Sequence, residues 1–242
     1  MTFPKCSRCA LSRPDPTILA FDTSAAHCAA ALLSGGRIVA ERFEEMTRGQ
    51  AERLMPLLEE VLVEAGCAWD ELDAIGVGVG PGNFTGIRIA VSAARGLALG
   101  LGVPAVGVSG FELLGGGDPG RAVADAAGPV LICLPAPRDT AYVQLVSAEG
   151  VPGPYRVVDS KTERLRDDEQ SAAAVGAAAA LFEGRVRVER AQLDPRSVSV
   201  RIAEIAARKV ATGEALPRPA PLYVRAADAA PPREAAPVIL DG

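Results

Sequence analysis

The sequence predicts a two-lobed α/β protein in which one plan, three strands followed by helix, strand and helix, is used twice. Three observations predict it. Apolar runs bounded by turn residues come in threes, once within 17–44 and again within 129–159. Each triplet is followed by segments of helical spacing, most clearly at 51–66 and 85–100. The length of 242 residues, 49% of them hydrophobic, gives one large domain or two small lobes with a substantial core.

The elements follow in order. "TILAFDTS" (17–24), "HCAAALLS" (27–34) and "RIVAERFE" (37–44) read as an antiparallel meander. Asp22-Thr23-Ser24 turns between the first two strands, and Gly35-Gly36 makes a hairpin between the next two. In 51–66, Leu54, Leu57, Leu58, Val61, Leu62 and Ala65 form one apolar stripe, and Gly66 stops the helix. Pro56 sits early in that helix, in a tolerant first turn or at a kink. "AIGVGVG" (74–80) is a short buried strand, 85–100 a helix and "PAVGVS" (104–109) another strand. Ser109-x-x-Glu112 is a capping box for the next helix.

The second half repeats the plan less clearly. Strands are expected at 129–134, 140–148 and 154–159, with a Ser160-x-x-Glu163 capping box opening a short helix. The alanine-rich 171–182 covers a strand end and a helix, and 197–213 a final helix ending at Gly213. This divides the chain into a disordered extension (1–16), an N-terminal lobe (17–109), a second lobe with the C-terminal helix (110–225) and a flexible tail (226–242).

Composition excludes several functions. Twenty-five basic residues against 30 acidic ones give a net charge of −5, with no broad basic surface for nucleic acid. Any RNA would be held by something else. Five cysteines at irregular spacing do not make a secreted disulfide framework. The first residues lack the apolar core of a signal peptide, and Arg88 and Arg95 argue against a membrane span in 86–103. A soluble cytoplasmic protein is the expectation. Cys6-x-x-Cys9 lacks partners for a four-ligand zinc site, so 1–16 reads as an add-on, a weak metal or redox role being the alternative.

The stretch "GVGVGPGNFTGIRIAVSAARGLALG" (76–100) needs its own account. A P-loop needs Gly-Lys-Ser/Thr, and no lysine lies between Lys5 and Lys161. GxGxxG fails in each frame, with Pro81, Asn83 or Thr85 in the third position. What remains is a strand, a Gly-Pro-Gly turn and a helix N-terminus. That end favours an anion, with Thr85 capping the helix or touching phosphate; equally, the turn could simply bring strand and helix together. Along the helix, Gly86, Ala90, Ala94 and Ala98 form one small-residue row and Ser92, Gly96 and Gly100 another. Such rows admit close helix packing, against a partner subunit or within the chain.

Catalytic signals are few. Asp22 is the best single acid, suited to a hydrated Mg2+ or to its own turn amides. The single histidine, His27, falls in a strand pattern and reads as structural. It excludes HExxH and paired-histidine metal sites, and no nucleophile elbow or Ser/His/Asp set is present.

"ILAFDTS", "ERLMPLLEEVL", "GVGVGPGNFTGIRIAVSAARGLALGLGVPAVGVS" and "PLYVR" (221–225) resemble the TsaB family, also called YeaZ. The resemblance is dense over 17–109 and thin afterwards. It implies the actin/hexokinase/Hsp70-like ATPase (RNase H-like) fold. It also implies a non-catalytic subunit that pairs with its paralogue TsaD, and with a TsaE-type ATPase, to make threonylcarbamoyladenosine beside the tRNA anticodon. TsaD would carry the metal and the transfer chemistry. This subunit would have no catalytic residue, no metal and no required cofactor, ATP or ADP binding being weak at most. It would meet tRNA only within the complex, have no membrane association, and pair with itself when alone.

The family pairs through helices 51–66 and 85–100, which puts Leu54, Leu58, Val61, Arg88, Val91, Ala94, Arg95 and Ala98 at the expected interface. A vestigial nucleotide cleft would comprise Asp22, Thr23, Ser24, Gly80, Gly82 and Thr85. Gln50 stands where the family commonly has histidine, and Pro135 and Pro137 where it often has Asp and Arg. These departures bear on nucleotide binding by the second lobe. A nucleotide-binding sensor and a standalone enzyme of the same fold, such as a sugar kinase or peptidase, are the alternatives.

Overall fold

The structure, a computed structural model, describes residues 15–115, 128–189, 193–213 and 215–224. The extension up to residue 14, with Cys6 and Cys9, and the tail beyond Val224 lie outside the described residues.

Two five-stranded sheets repeat one topology. In sheet 1, β1 (Ile18–Asp22), β2 (His27–Ser34) and β3 (Arg37–Glu45) form the meander, and β4 (Ala74–Gly78) and β5 (Ala105–Val108) add in parallel beside β1. The order is β3-β2-β1-β4-β5. In sheet 2, β6 (Val130–Pro135), β7 (Thr140–Val146) and β8 (Pro152–Asp159) pair antiparallel, while β9 (Ala173–Val175) and β10 (Arg187–Val188) run parallel to β6. Read from its β8 edge, the order is the same, β8-β7-β6-β9-β10. This is the duplicated, two-lobed α/β fold the sequence predicts.

Strand alternation sorts the core of lobe one. Leu19 and Phe21 of β1 face α1 (Gln50–Ala65) and α2 (Phe84–Leu101), where Leu54, Leu58, Val61, Ile87, Val91 and Ala94 close the layer. Ile18 and Ala20 face the other way, onto Ile202 and Ala206 of α5 (Val198–Ala211). Buried on both faces, β1 has a continuous apolar run. Gly76 on β4 is glycine for the same reason. A Cβ there would lie 3.1 Å from Ala20 and Ile202.

Three sequence expectations change. The C-terminal helix, assigned to the second lobe, packs on sheet 1, because its apolar face matches the surface left by Ile18, Ala20 and Val106. The Ser160–Glu163 box opens no helix. Ser160 instead donates to Asp139 O at 2.8 Å, and Glu163 pairs with Arg156; the short α4 (Asp167–Gln170) comes later. In 171–182 the expected helix is only a 3-10 turn, Ala179–Phe182. By contrast, the Ser109–Glu112 box opens α3 (Gly110–Gly115) as expected: Ser109 N and Oγ each donate to Glu112 Oε2 at 2.8 Å. Gly35 and Gly36 both have positive φ, as a tight hairpin requires.

Candidate functional site

The glycine-rich loop comes first, because four of its glycines have internal explanations. Added Cβ atoms at Gly78, Gly82 and Gly86 would lie 1.8 Å from Asp22 Oδ2, 2.4 Å from Ser24 O and 1.9 Å from Thr23 O. Gly80 has φ +91° and faces Ile87. The loop is therefore pressed against the Asp22-Thr23-Ser24 turn, and hydrogen bonds seal the contact. Asn83 N donates to Ser24 O at 2.6 Å, and Thr23 Oγ1 donates to Gly86 O at 2.7 Å. Asn83, not Thr85, caps α2, accepting from Gly86 N at 2.9 Å. The chain's own turn fills the space beside these glycines.

Asp22 ends β1 and is buried. Its Oδ1 accepts from Ser24 N at 2.9 Å and Ser24 Oγ at 2.8 Å, and lies 2.7 Å from His27 Nε2. The acid thus satisfies its own turn and holds the first residue of β2. It borders a cavity of about 790 Å³ between the lobes, whose other walls include Phe43, Leu113, Leu134 and Val198. The charged or titratable side chains bordering it, among the described residues, are Asp22, His27 and Glu45. A polyphosphate would meet two carboxylates there.

The expected nucleotide cleft is thus only partly assembled. Asp22 and Ser24 border the cavity, and Gly82 borders a smaller neighbouring one of about 400 Å³. Thr23 and Gly80 are buried in the loop contact, and Thr85 is exposed on α2, away from both cavities. Gln50 starts α1 and donates to Met46 O at 3.0 Å. Pro135 and Pro137 border the smaller cavity.

No group of three or more His, Cys, Asp or Glu that could hold a metal ion occurs among the described residues. Burial pushes the Cys28 and Cys133 thiols up to about 12, so neither is a ready nucleophile.

The expected docking residues divide sharply. Leu54, Leu58, Val61, Val91, Ala94 and Ala98 are core, Ala94 being 0% exposed, because their stripes meet sheet 1. They cannot touch a partner in this fold. Arg88 and Arg95 are exposed, and with them Ser92, Gly96, Leu99 and Gly100. The row Gly86-Ala90-Ala94-Ala98 therefore faces the sheet, and Ser92-Gly96-Gly100 faces out. On this outer side Val63 of α1 is 80% exposed and Leu99 77%. Among the described residues, Cβ atoms at Gly96 and Gly100 would meet nothing within 4 Å.

Sequence reasoning missed a cluster at the start of α2. The Arg88 guanidinium lies 3.6 Å from the Phe84 ring centroid, and its Nε donates to Tyr223 Oη at 2.7 Å. Tyr223 arrives through Leu222, whose N donates to Val79 O at 2.8 Å. The only sequence signal for it was the distant "PLYVR".

A family profile described as "TsaD: tRNA N6-adenosine threonylcarbamoyltransferase" matches residues 38–146. The tRNA threonylcarbamoyladenosine biosynthesis protein TsaB of Escherichia coli is 40% identical over 92 residues, which is 38% of this chain and 39% of that protein. The chain thus spans about two-fifths of the length of the curated relatives it matches first. The structure of YeaZ from Pseudomonas aeruginosa superposes with a TM-score of 0.66 at 30% identity, covering 86% of this chain and 99% of that one. The chain belongs to the TsaB/YeaZ family. A second Pseudomonas aeruginosa structure, described as an uncharacterized protein with similarity to peptidase YEAZ, also matches at 30% identity and a TM-score of 0.66, over 87% of this chain. Family membership accounts for the lobe-one signature.

Proposed function

We propose that this chain is the non-catalytic, dimerising subunit of the machinery that attaches threonylcarbamoyl to the tRNA adenosine beside the anticodon. The TsaB relatives named for that biosynthesis support the pathway, and the TsaD family match supports a TsaD homologue as partner.

One observation carries the dimerising role. Gly96 and Gly100 lie within an exposed helix face, and nothing among the described residues needs their missing side chains. An interior helical glycine costs about 0.5–1 kcal/mol relative to alanine. A second helix lying close against α2 would require that smoothness, and Val63 and Leu99 would give it apolar area. The loop packed onto its own turn and the acidic cleft favour a subunit that does not itself turn over nucleotide. The arginine-flanked face of α1 and α2 takes the TsaD homologue, or a second copy when this chain is alone. A TsaE-type ATPase joins the assembly, and tRNA is met through the complex.

Reconstitution tests this. The chain alone, with threonylcarbamoyl adenylate and tRNA, should form no modified adenosine by nucleoside mass spectrometry. Adding the host's TsaD homologue and TsaE-type ATPase should give product that depends on this chain. Product from the chain alone, or product indifferent to its presence, would overturn the proposal.

A further inference from the structure

We propose that the cavity between the lobes is a binding site for a ligand with an apolar body and a hydrogen-bond-donating head, an amine in particular, and not for a nucleotide. The volume of about 790 Å³ is within the range of small-molecule sites. Its walls are mainly apolar, so a ligand's body would be buried against Phe43, Leu114 and Leu134.

The head group is set by His27. This ring is 5% exposed, tilts against Phe43 with centroids 5.4 Å apart, and borders the cavity. Its Nε2 is engaged by Asp22 Oδ1 at 2.7 Å, while Nδ1 has no partner among the described residues. In the neutral imidazole, the Nε2–H given to Asp22 leaves Nδ1 as an acceptor. Glu45 adds a second acceptor to the same cavity. Arg196 stands 5.7 Å from the Phe43 ring but does not border the cavity. A cavity whose charged side chains are carboxylates suits ammonium, amide or hydroxyl donors and gives phosphate oxygens no cationic side chain among its lining residues.

His27 is the only histidine in the chain, so its imidazole resonance reports the site without ambiguity. The test titrates the full chain, at mildly alkaline pH, with tryptamine, with indole-3-acetate and with Mg-ADP. Tryptamine should move the His27 resonance and saturate. Indole-3-acetate, with a similar ring but an acceptor head, should bind about tenfold more weakly. ADP should give no saturable movement. Glu45→Gln, on an exposed side chain, should weaken tryptamine while the His27 resonance still reports. Leu134→Trp, which fills the cavity, should abolish the effect in a chain that circular dichroism shows to be folded. The proposal fails if tryptamine leaves the resonance unmoved, if the two indoles bind equally, if ADP saturates it, or if folded Leu134→Trp still responds to tryptamine.

Discussion

The two lobes share one strand order and use it differently. Sheet 1 carries α1 and α2, of 16 and 18 residues, on one face and α5 on the other. In sheet 2, the positions after the meander and after β9 hold a four-residue α4 and a four-residue 3-10 turn. Each lobe also has an arginine clamping two glutamates. In lobe one, Arg53 holds the partly exposed Glu44 and Glu60. In lobe two, Arg156 holds Glu163 and Glu169, the last only 3% exposed. Where long helices close the core, the clamp is a surface ornament. Where they have shrunk to turns, one of its glutamates, Glu169, is buried. The lobe with long helices leaves the outer face of α2 exposed, from Arg88 to Gly100.

The largest expected effect breaks lobe one from within. Ala94→Arg would drive a guanidinium into the layer between α2 and sheet 1 and should prevent folding, read as loss of the cooperative unfolding transition. Gly96→Arg, two residues further on the same helix but facing out, should fold without loss of stability. If both variants fold equally well, the assignment of inner and outer rows is wrong.

Next comes the buried clamp. Arg156→Met would leave Glu169 buried without its guanidinium, at a cost of about 3 kcal/mol in urea unfolding. Burial pushes the Glu169 carboxyl up, but its bonds to Arg156 and to the Arg166 N–H outweigh that and hold it below the ordinary range. Its stabilising contribution is therefore present above the ordinary glutamate range and lost as pH falls through the depressed value. Glu169→Gln should flatten that acid slope. Arg53 also holds the exposed Glu60 carboxyl below the ordinary range, but solvent screens that pair, so Glu60→Gln should change the slope much less. Equal slopes in both variants would erase the distinction between the lobes.

Much of lobe one was legible because its signals are local. Leu54 to Ala65 repeat at helical spacing, Gly35-Gly36 turn with positive φ, and Ser109 and Glu112 cap each other three residues apart. Lobe two blurred because its signals compete. Ser160 and Glu163 have capping-box spacing, yet each found a stronger distant partner, Asp139 and Arg156. The C-terminal helix was legible as a helix but not in its position, since no local pattern names the sheet it will cover. At the candidate site, Asp22 and Ser24 were found from a polar turn at a strand end. Of the eight residues expected at a docking face, six are core and two, Arg88 and Arg95, are exposed. Both small rows of α2 were visible, but spacing alone cannot say which one faces the sheet. His27 read as structural because its place in a strand pattern says nothing of the cavity on which it borders.

The smallest effect sharpens the comparison most. Gly96→Ala should stabilise the isolated chain by up to about 1 kcal/mol by thermal melting, since helix propensity improves and the new methyl meets nothing. The same methyl should weaken pairing. A loss of monomer stability would mean that the glycine serves the chain itself.

The most direct test of the docking face is association with the host's TsaD homologue, followed by size exclusion with light scattering. The wild-type chain should form a one-to-one heterodimer that replaces the free species. Gly96→Arg and Leu99→Glu, both folded, should remain unassociated, while Glu60→Gln pairs normally. A heterodimer that tolerates Gly96→Arg and Leu99→Glu would contradict the account, because the outer face of α2 would then not be where the partner lies.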